Sequence, residues 1–329
     1  MQRAVEAVAA STMTSGCILV LDTATAAVRA SVSVPCYDPE NLADSLQAEN
    51  SPFLNRALQS YAVGSVFKPV LAAAALEAGL QPVFECTGAV VVDGQIFRCA
   101  GGVPHGQVDL AAALEKSCNG YFIRLGQQLG AESLLDAAKA FGFGQSLPLA
   151  EGFAAEAGQL PTPQELAQSG QLANFSFGQG SLLAAPMQVA ALFNTLAADG
   201  VYRAPYVLQA TLDETTGQPV ETLSHPRGRR VISAQNAALL RAMLVQVVQQ
   251  GTAQDAAGLS GGAGGKTGTA QTGQFTPEGT ERCNLWFAGF WPAEKPRYTI
   301  VVLQDGAVHT AYSGAAIFAQ VCTALEAAG

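Results

Sequence analysis

Charge is scarce in this chain: 13% of its 329 residues are Asp, Glu, Lys or Arg, and 49% are hydrophobic. The balance is acidic, at a net charge of -9, and the only basic cluster is Arg227, Arg229 and Arg230. A nucleic-acid partner is therefore not expected, because a phosphate backbone needs a basic face. Long apolar runs are missing too. No segment reaches the roughly 20 residues that span a bilayer. The opening MQRAVEAVAASTMTSG has neither a basic start nor an extended apolar core, so no signal peptide is expected. His105, His225 and His309 are the only histidines. They share no ligand-like spacing with one another or with the cysteines, and no metal site is expected. Seven cysteines, an odd number, do not form an obvious disulfide framework.

What is present is globular composition with enough length for one large core. Helical patterns are expected at Arg3 to Thr12, Leu71 to Ala78, Asp109 to Leu129 with a break at Ser117 to Gly120, Ala131 to Ala140, Met187 to Ala198, Ala234 to Gln249 and Ser313 to Ala327. Strand patterns lie at Cys17 to Leu21, Ala27 to Val34, Leu285 to Trp291 and Arg297 to Gln304. A strand pair is expected within Tyr202 to Val231, turning at Thr216-Gly217. Pro35 to Pro52 reads as loop, and Gln145 to Asn174 as a surface excursion beside a cleft. Asp93-Gly94 is a hairpin turn signal. That hairpin would bring Cys86 and Cys99 together. A disulfide there stays open, with buried free thiols favoured because a chain this long needs no staple.

Chemistry concentrates at Tyr61 to Leu80, YAVGSVFKPVLAAAALEAGL. A helix starting near Ser65 would put the Ser65 hydroxyl and the Lys68 amine one turn apart on one face. Pro69 is tolerated in a first turn. A hydroxyl beside an amine at the positive end of a helix suits a nucleophile and its base. With 18 Ser and 5 Lys in the chain, about 0.3 Ser-x-x-Lys matches arise by chance, so the motif alone is weak. A capping Ser and a solvated Lys would look the same. Ser117-Cys118-Asn119 offers a hydroxyl and an amide at a helix break, equally readable as a cap. Lys266-Thr267-Gly268-Thr269 follows the glycine-rich LSGGAGG and offers a cation, hydroxyls and close backbone approach on a strand. A plain edge strand also favours Lys and Gly.

In this order the three motifs are specific. NRALQSYAVGSVFKPV, HGQVDLAAALEKSCNGYF, FGQGSLLAAPMQVAALFNTLAADG, GGKTGTAQT and LWFAGFWPAEKPRYTIVVL resemble consecutive blocks of the transpeptidase domain of monofunctional, class B penicillin-binding proteins. The blocks run from about Gly16 to the C-terminus. The resemblance implies an α+β fold of the penicillin-binding and serine β-lactamase type. Its antiparallel sheet has about five strands drawn from both chain ends, with helices on both faces and an all-helical subregion. Residues 1–329 would form one such domain, with the membrane anchor and non-catalytic front domain usual for the class expected to be absent from this chain.

The resemblance also implies roles. Ser65 attacks the carbonyl of a D-alanyl-D-alanine stem peptide or of a β-lactam, with Lys68 as base, its pKa lowered by burial and by Lys266 as a second cation. Ser117 relays a proton to the leaving amine and Asn119 orients Lys68 or substrate. Lys266 and Thr267 hold the terminal carboxylate, while Gly268 leaves room for substrate along the strand. The N–H groups of Ser65 and Thr269 make the oxyanion hole. No cofactor is needed. Other cell-wall synthesis proteins are expected as partners, and the place of action is the extracytoplasmic face of the bacterial membrane. Three rivals share these residues: a D,D-carboxypeptidase, a β-lactamase or β-lactam sensor, and a silent cell-wall scaffold. Two details depart from the usual pattern. Cys118 would place a thiol near the nucleophile, and Thr23-Ala24-Thr25-Ala26 lacks the glycine usual after the first strand. Gly178-Gln179-Gly180 is expected to support the cleft.

Overall fold

The structure is a computed structural model and describes residues 1–48, 50–223, 225 and 227–328. In chain order its main elements are α1 (Gln2–Thr12), β1 (Gly16–Asp22), β2 (Val28–Val34), α2 (Lys68–Glu77), α3 (Leu110–Glu115), α4 (Asn119–Ala140), α5 (Ser169–Ser176), α6 (Pro186–Ala197), α7 (Ala234–Gln249), β3 (Gly264–Phe275), β4 (Glu281–Trp291), β5 (Tyr298–Ala307) and α8 (Gly314–Ala327). The five strands form one antiparallel sheet in the order β3-β4-β5-β1-β2. The first and last thirds of the chain thus meet along β1 and β5, where Cys17 pairs with Leu303 and Val20 with Ile300.

Successive residues of β4 show both faces of this sheet at work. Phe287 packs edge-on against Phe318 of α8, ring centroids 4.7 Å apart. Trp286 points the other way and donates its indole N–H to Ala62 O at 3.0 Å, beside the turn that leads into α2. α1 and α8 cover the first face. α6 lies on the second, buried at every residue, because it is pressed between the sheet and the other helices. This is why its sequence, PMQVAALFNTLA, has apolar residues all round rather than on one stripe. Its polar groups are each spoken for: Gln188 Nε2 donates to the carbonyls of Gly142, Gln145 and Ala157, and Asn194 Oδ1 accepts from Thr299 Oγ1 at 3.0 Å.

Several expected boundaries shift for physical reasons. The break at Ser117 to Gly120 separates α3 from α4, as the sequence suggested, but Leu129 and Ala131 belong to one run with a kink at Gly130, whose φ is 79°. β4 begins at Glu281 rather than Leu285, since hairpin pairing with β3 extends a polar segment that has no strand pattern. The loop from Pro35 to Pro52 contains one short helix, Leu42–Leu46. Within Tyr202 to Val231, the Thr216-Gly217 turn joins Ala210–Leu212 to Pro219–Thr222; Ser224 and Pro226 lie outside the described residues. The turn after β1 closes by Asp22 Oδ1 accepting from Thr25 N–H and Oγ1–H. Ala26 adopts φ of 63° there, the left-handed conformation that glycine supplies more cheaply.

Candidate active site

Ser65 lies on a 3₁₀ turn, Gly64–Phe67, that runs directly into α2 at Lys68. Pro69 occupies the first turn of α2, where its missing N–H costs nothing. The turn is shaped by close backbone approaches. Gly64 has φ of 66°, and its N–H donates to Gly178 O at 2.8 Å. A Cβ on Gly178 would stand 2.0 Å from Gly64 O. Gly178 therefore supports the Ser65 turn from behind, as expected for the Gly178-Gln179-Gly180 block. Gly268 faces the same turn from the sheet side: a Cβ there would lie 3.0 Å from Val66 Cγ1 and 3.2 Å from Val63 O. Its lack of a side chain thus lets β3 pass tightly against the Ser65 turn, a constraint the sequence reading did not foresee.

Lys68 is fully buried. Its Nζ donates to Ser117 O at 2.7 Å, Asn119 Oδ1 at 2.8 Å and Ser117 Oγ at 3.1 Å. Three donors and three acceptors satisfy an ammonium completely. Burial nevertheless pushes its pKa down to about 7, while the thiols of Cys118 and Cys99 pull the other way. Lys266, also fully buried, has its pKa held well down by burial first and by the Lys68 charge second, a repulsion the two amines share. Its Nζ donates to Thr267 O at 3.2 Å, and the Thr267 and Thr252 hydroxyls are 2.7 Å apart.

Ser117 adopts φ of 53°, a conformation that costs a non-glycine residue about 1–3 kcal/mol and is common in functional sites. Asn119 is fixed from its other end, with Nδ2 donating to Arg98 O at 2.9 Å. Ser65, Ser117, Asn119, Thr267, Gly268 and Thr269 all line one cleft of about 660 Å³. β3 forms its sheet-side wall as the outermost strand, and Arg98, Cys99, Ala100, Thr252 and Gln271 complete the lining. Lys68 and Lys266 lie just beneath it. Every residue singled out by the three motifs is therefore brought together. Thr252 and Arg98 were missed. Neither has a motif, and Arg98 contributes through its carbonyl, which any residue type could supply.

Two expectations need correction here. Cys118 does not line the cleft with its thiol; it is fully buried, with Sγ 3.8 Å from Cys99 Sγ. Nor do the histidines and cysteines lie apart. Cys86, Cys99, His105 and Cys118 place one ligand atom each within 4.8 Å of all the others. The hairpin brings Cys86 and Cys99 to 3.7 Å as free thiols, and the strand pairing of Cys86 with Gly106 carries His105 into the group. Register across two hairpins made this grouping, which spacing along the chain did not show.

Residues 16–323 match the family model described as the penicillin-binding protein transpeptidase domain. The chain is 32% identical over 334 residues to the peptidoglycan D,D-transpeptidase PbpA of Mycolicibacterium smegmatis, covering 95% of this chain and 66% of that relative. It spans, then, about two thirds of that protein's length. Among solved structures, the D,D-transpeptidase domain of a peptidoglycan glycosyltransferase from Eggerthella lenta superposes with a TM-score of 0.87 at 26% identity, covering all of this chain and 81% of that one. The ceftriaxone acyl-enzyme complex of penicillin-binding protein A from Mycobacterium tuberculosis superposes with a TM-score of 0.86 at 27% identity, covering 99% and 78%. The sheet, the cleft and these likenesses agree: the chain belongs to the penicillin-binding protein transpeptidase family and carries the transpeptidase domain of the class B type.

Proposed function

We propose that this domain cross-links peptidoglycan stem peptides through an acyl-enzyme on Ser65 and is trapped at the same step by β-lactams. The observation that carries the reading is the burial of Lys68 in the grip of Ser117 and Asn119, one turn from Ser65. A neutral Lys68 amine keeps two N–H donors and gains a lone pair. It can hold two of its present acceptors and take the Ser65 proton with the third position. Ser65 Oγ then bonds to the carbonyl carbon of the penultimate D-alanine. The negative oxygen that develops would be met by the N–H groups of Ser65 and Thr269, whose strand runs against the Ser65 turn. Ser117 Oγ, hydrogen-bonded to Lys68, is placed to pass the proton to the leaving nitrogen as the C–N bond breaks and D-alanine departs. An amine of a second stem peptide attacks the ester, loses its proton back through the same groups and restores Ser65.

Substrate would bind as an added strand along the open edge of β3. Its terminal carboxylate would meet the Lys266 and Thr267 side, where the anion would favour charging of Lys266. A β-lactam enters identically, except that its leaving nitrogen stays tethered after the ring opens. No carboxylate side chain lines the cleft among the described residues, so a dedicated base for deacylating water is not in evidence, which speaks against the β-lactamase reading. The setting would be the extracytoplasmic face of the bacterial membrane, in company with other cell-wall synthesis proteins.

A fluorescent penicillin tests the reading. Denaturing gels and mass spectrometry should show one adduct per chain, lasting hours, absent from Ser65→Ala. Turnover within seconds would instead indicate a β-lactamase, and no adduct on folded protein would indicate a silent scaffold.

A further inference from the structure

We propose that Cys86, Cys99, His105 and Cys118 bind one zinc ion, as a closed tetrahedral Cys₃His site directly behind the cleft. The geometry is that of such a site. Zinc–sulfur bonds of about 2.3 Å and a zinc–nitrogen bond of about 2.0–2.1 Å, at tetrahedral angles, require ligand atoms about 3.8 Å apart for sulfur pairs and about 3.5–3.6 Å apart for sulfur and nitrogen. The Cys86–Cys99 and Cys99–Cys118 sulfurs are 3.7 and 3.8 Å apart, and Cys86 Sγ is 3.5 Å from His105 Nδ1. All four ligand atoms fall within 4.8 Å of one another. Three thiolates and an imidazole select a borderline-soft ion, and four protein ligands leave no open position, the pattern of a structural zinc site.

The surroundings also favour thiolates. Tyr121 N–H points at Cys118 Sγ, 3.4 Å away. That amide belongs to the first turn of α4, whose positive end stabilises negative sulfur. A disulfide would use the cluster less completely. It would consume two of three sulfurs and leave the third thiol and His105 without a shared role. The other cysteines, Cys17, Cys36, Cys283 and Cys322, lie outside the group.

The ion would do its work through the catalytic wall. Cys118 lies between Ser117 and Asn119, and Cys99 follows Arg98, whose carbonyl anchors Asn119. Zinc would tie the Cys86 strand end, the Cys99 hairpin end, the His105 loop and the start of α4 into one rivet. That rivet would hold Ser117 and Asn119 where they grip Lys68. On binding, each cysteine gives up its thiol proton, and His105 ligates as neutral imidazole.

Metal content decides the matter without reference to activity. The full chain, prepared with reductant and dialysed into zinc-free buffer, should retain one zinc per chain by inductively coupled plasma mass spectrometry. Exchange for cobalt(II) should give the thiolate charge-transfer and tetrahedral d–d absorption of a sulfur-rich site. His105→Ala and Cys99→Ser should lose the ion, and Cys36→Ser should keep it. Because a variant can fail to fold, the wild-type cobalt spectrum stands as an independent readout. Chelation of the wild type should also slow penicillin acylation about tenfold, the usual lower scale for loss of a supporting shell. Reduced, folded wild type that holds no zinc and gives no cobalt spectrum would overturn the proposal. So would intact mass and peptide mapping that show a Cys86–Cys99 or Cys99–Cys118 disulfide in metal-free, active protein.

Discussion

The two walls of the cleft are held by different physics. The sheet wall, Lys266 to Thr269, is fixed by its ladder with β4, where Lys266 pairs with Ala288 and Thr269 with Leu285. Each residue's position follows from a repeating backbone pattern that tolerates most side chains. The helical wall, Ser117 to Asn119, sits at a break between α3 and α4 where no ladder exists. Its placement depends on particular side chains: Lys68, Asn119 and the Cys86, Cys99, Cys118 and His105 group. The difference teaches that one wall is robust and the other is specific. Single substitutions should therefore separate them.

Substituting the two lysines gives the largest separation. Lys68→Ala removes the proposed base and leaves Ser117 and Asn119 without their shared partner, so acylation by a fluorescent penicillin should fall by about 10³-fold or more. Lys266→Ala takes away the proposed charge-assisted contact to the ligand carboxylate, worth about 1.5–3 kcal/mol. Its loss should be about 10- to 100-fold and should appear mostly as weaker binding. Equal losses in rate with unchanged affinity would mean that Lys266 shares in proton transfer, and the division between walls would fail.

The two glycines that frame the Ser65 turn come next. Gly178→Ala would push a methyl to within 2.0 Å of Gly64 O at a φ of 87°. It combines a backbone clash with left-handed strain, and stability should drop by about 3 kcal/mol or more, with acylation impaired because the turn itself must shift. Gly268→Ala would place a methyl 3.0 Å from Val66 Cγ1, 3.1 Å from Val66 N and 3.2 Å from Val63 O, tight contacts that need shifts of a few tenths of an ångström, at an ordinary backbone angle. About 1–3 kcal/mol is expected. Thermal unfolding of both variants checks the order; a milder effect at Gly178 would show that the turn adapts to its backing.

This contrast also explains what the sequence revealed. β1, β2, β4 and β5 alternate or run apolar, α6 to α8 carry clean helix patterns, and the three motifs name Ser65, Lys68, Ser117, Asn119 and Lys266 outright. Those are local signals. The polar half of β4 was hidden because Glu281 to Asn284 are strand only by pairing with β3. The cysteine and histidine group was hidden more deeply. Its members stand 13, 6 and 13 positions apart, and only the pairing of Cys86 with Gly106, together with the Asp93-Gly94 hairpin, brings them together.

The pH profile of acylation offers the finest test of the helical wall. In the proposed mechanism Lys68 must be neutral to take the Ser65 proton, and burial lowers its pKa to about 7. A lowered lysine pKa means that the reactive form grows as pH rises through 7 and is complete a unit or two above it. The acylation rate should therefore be about tenfold below its plateau at pH 6, about half of it at pH 7, and flat from pH 8.5 upward. A rate that climbs steadily to pH 10 would mean that Lys68 keeps an ordinary pKa and that its burial is relieved by water on opening of the cleft. Asn119→Ala sharpens the reading. It removes a 2.8 Å acceptor that favours the charged amine, so the midpoint should move to lower pH while the plateau falls, because the amine is then less well aimed at Ser65. A falling plateau with an unmoved midpoint would assign Asn119 to substrate rather than to Lys68.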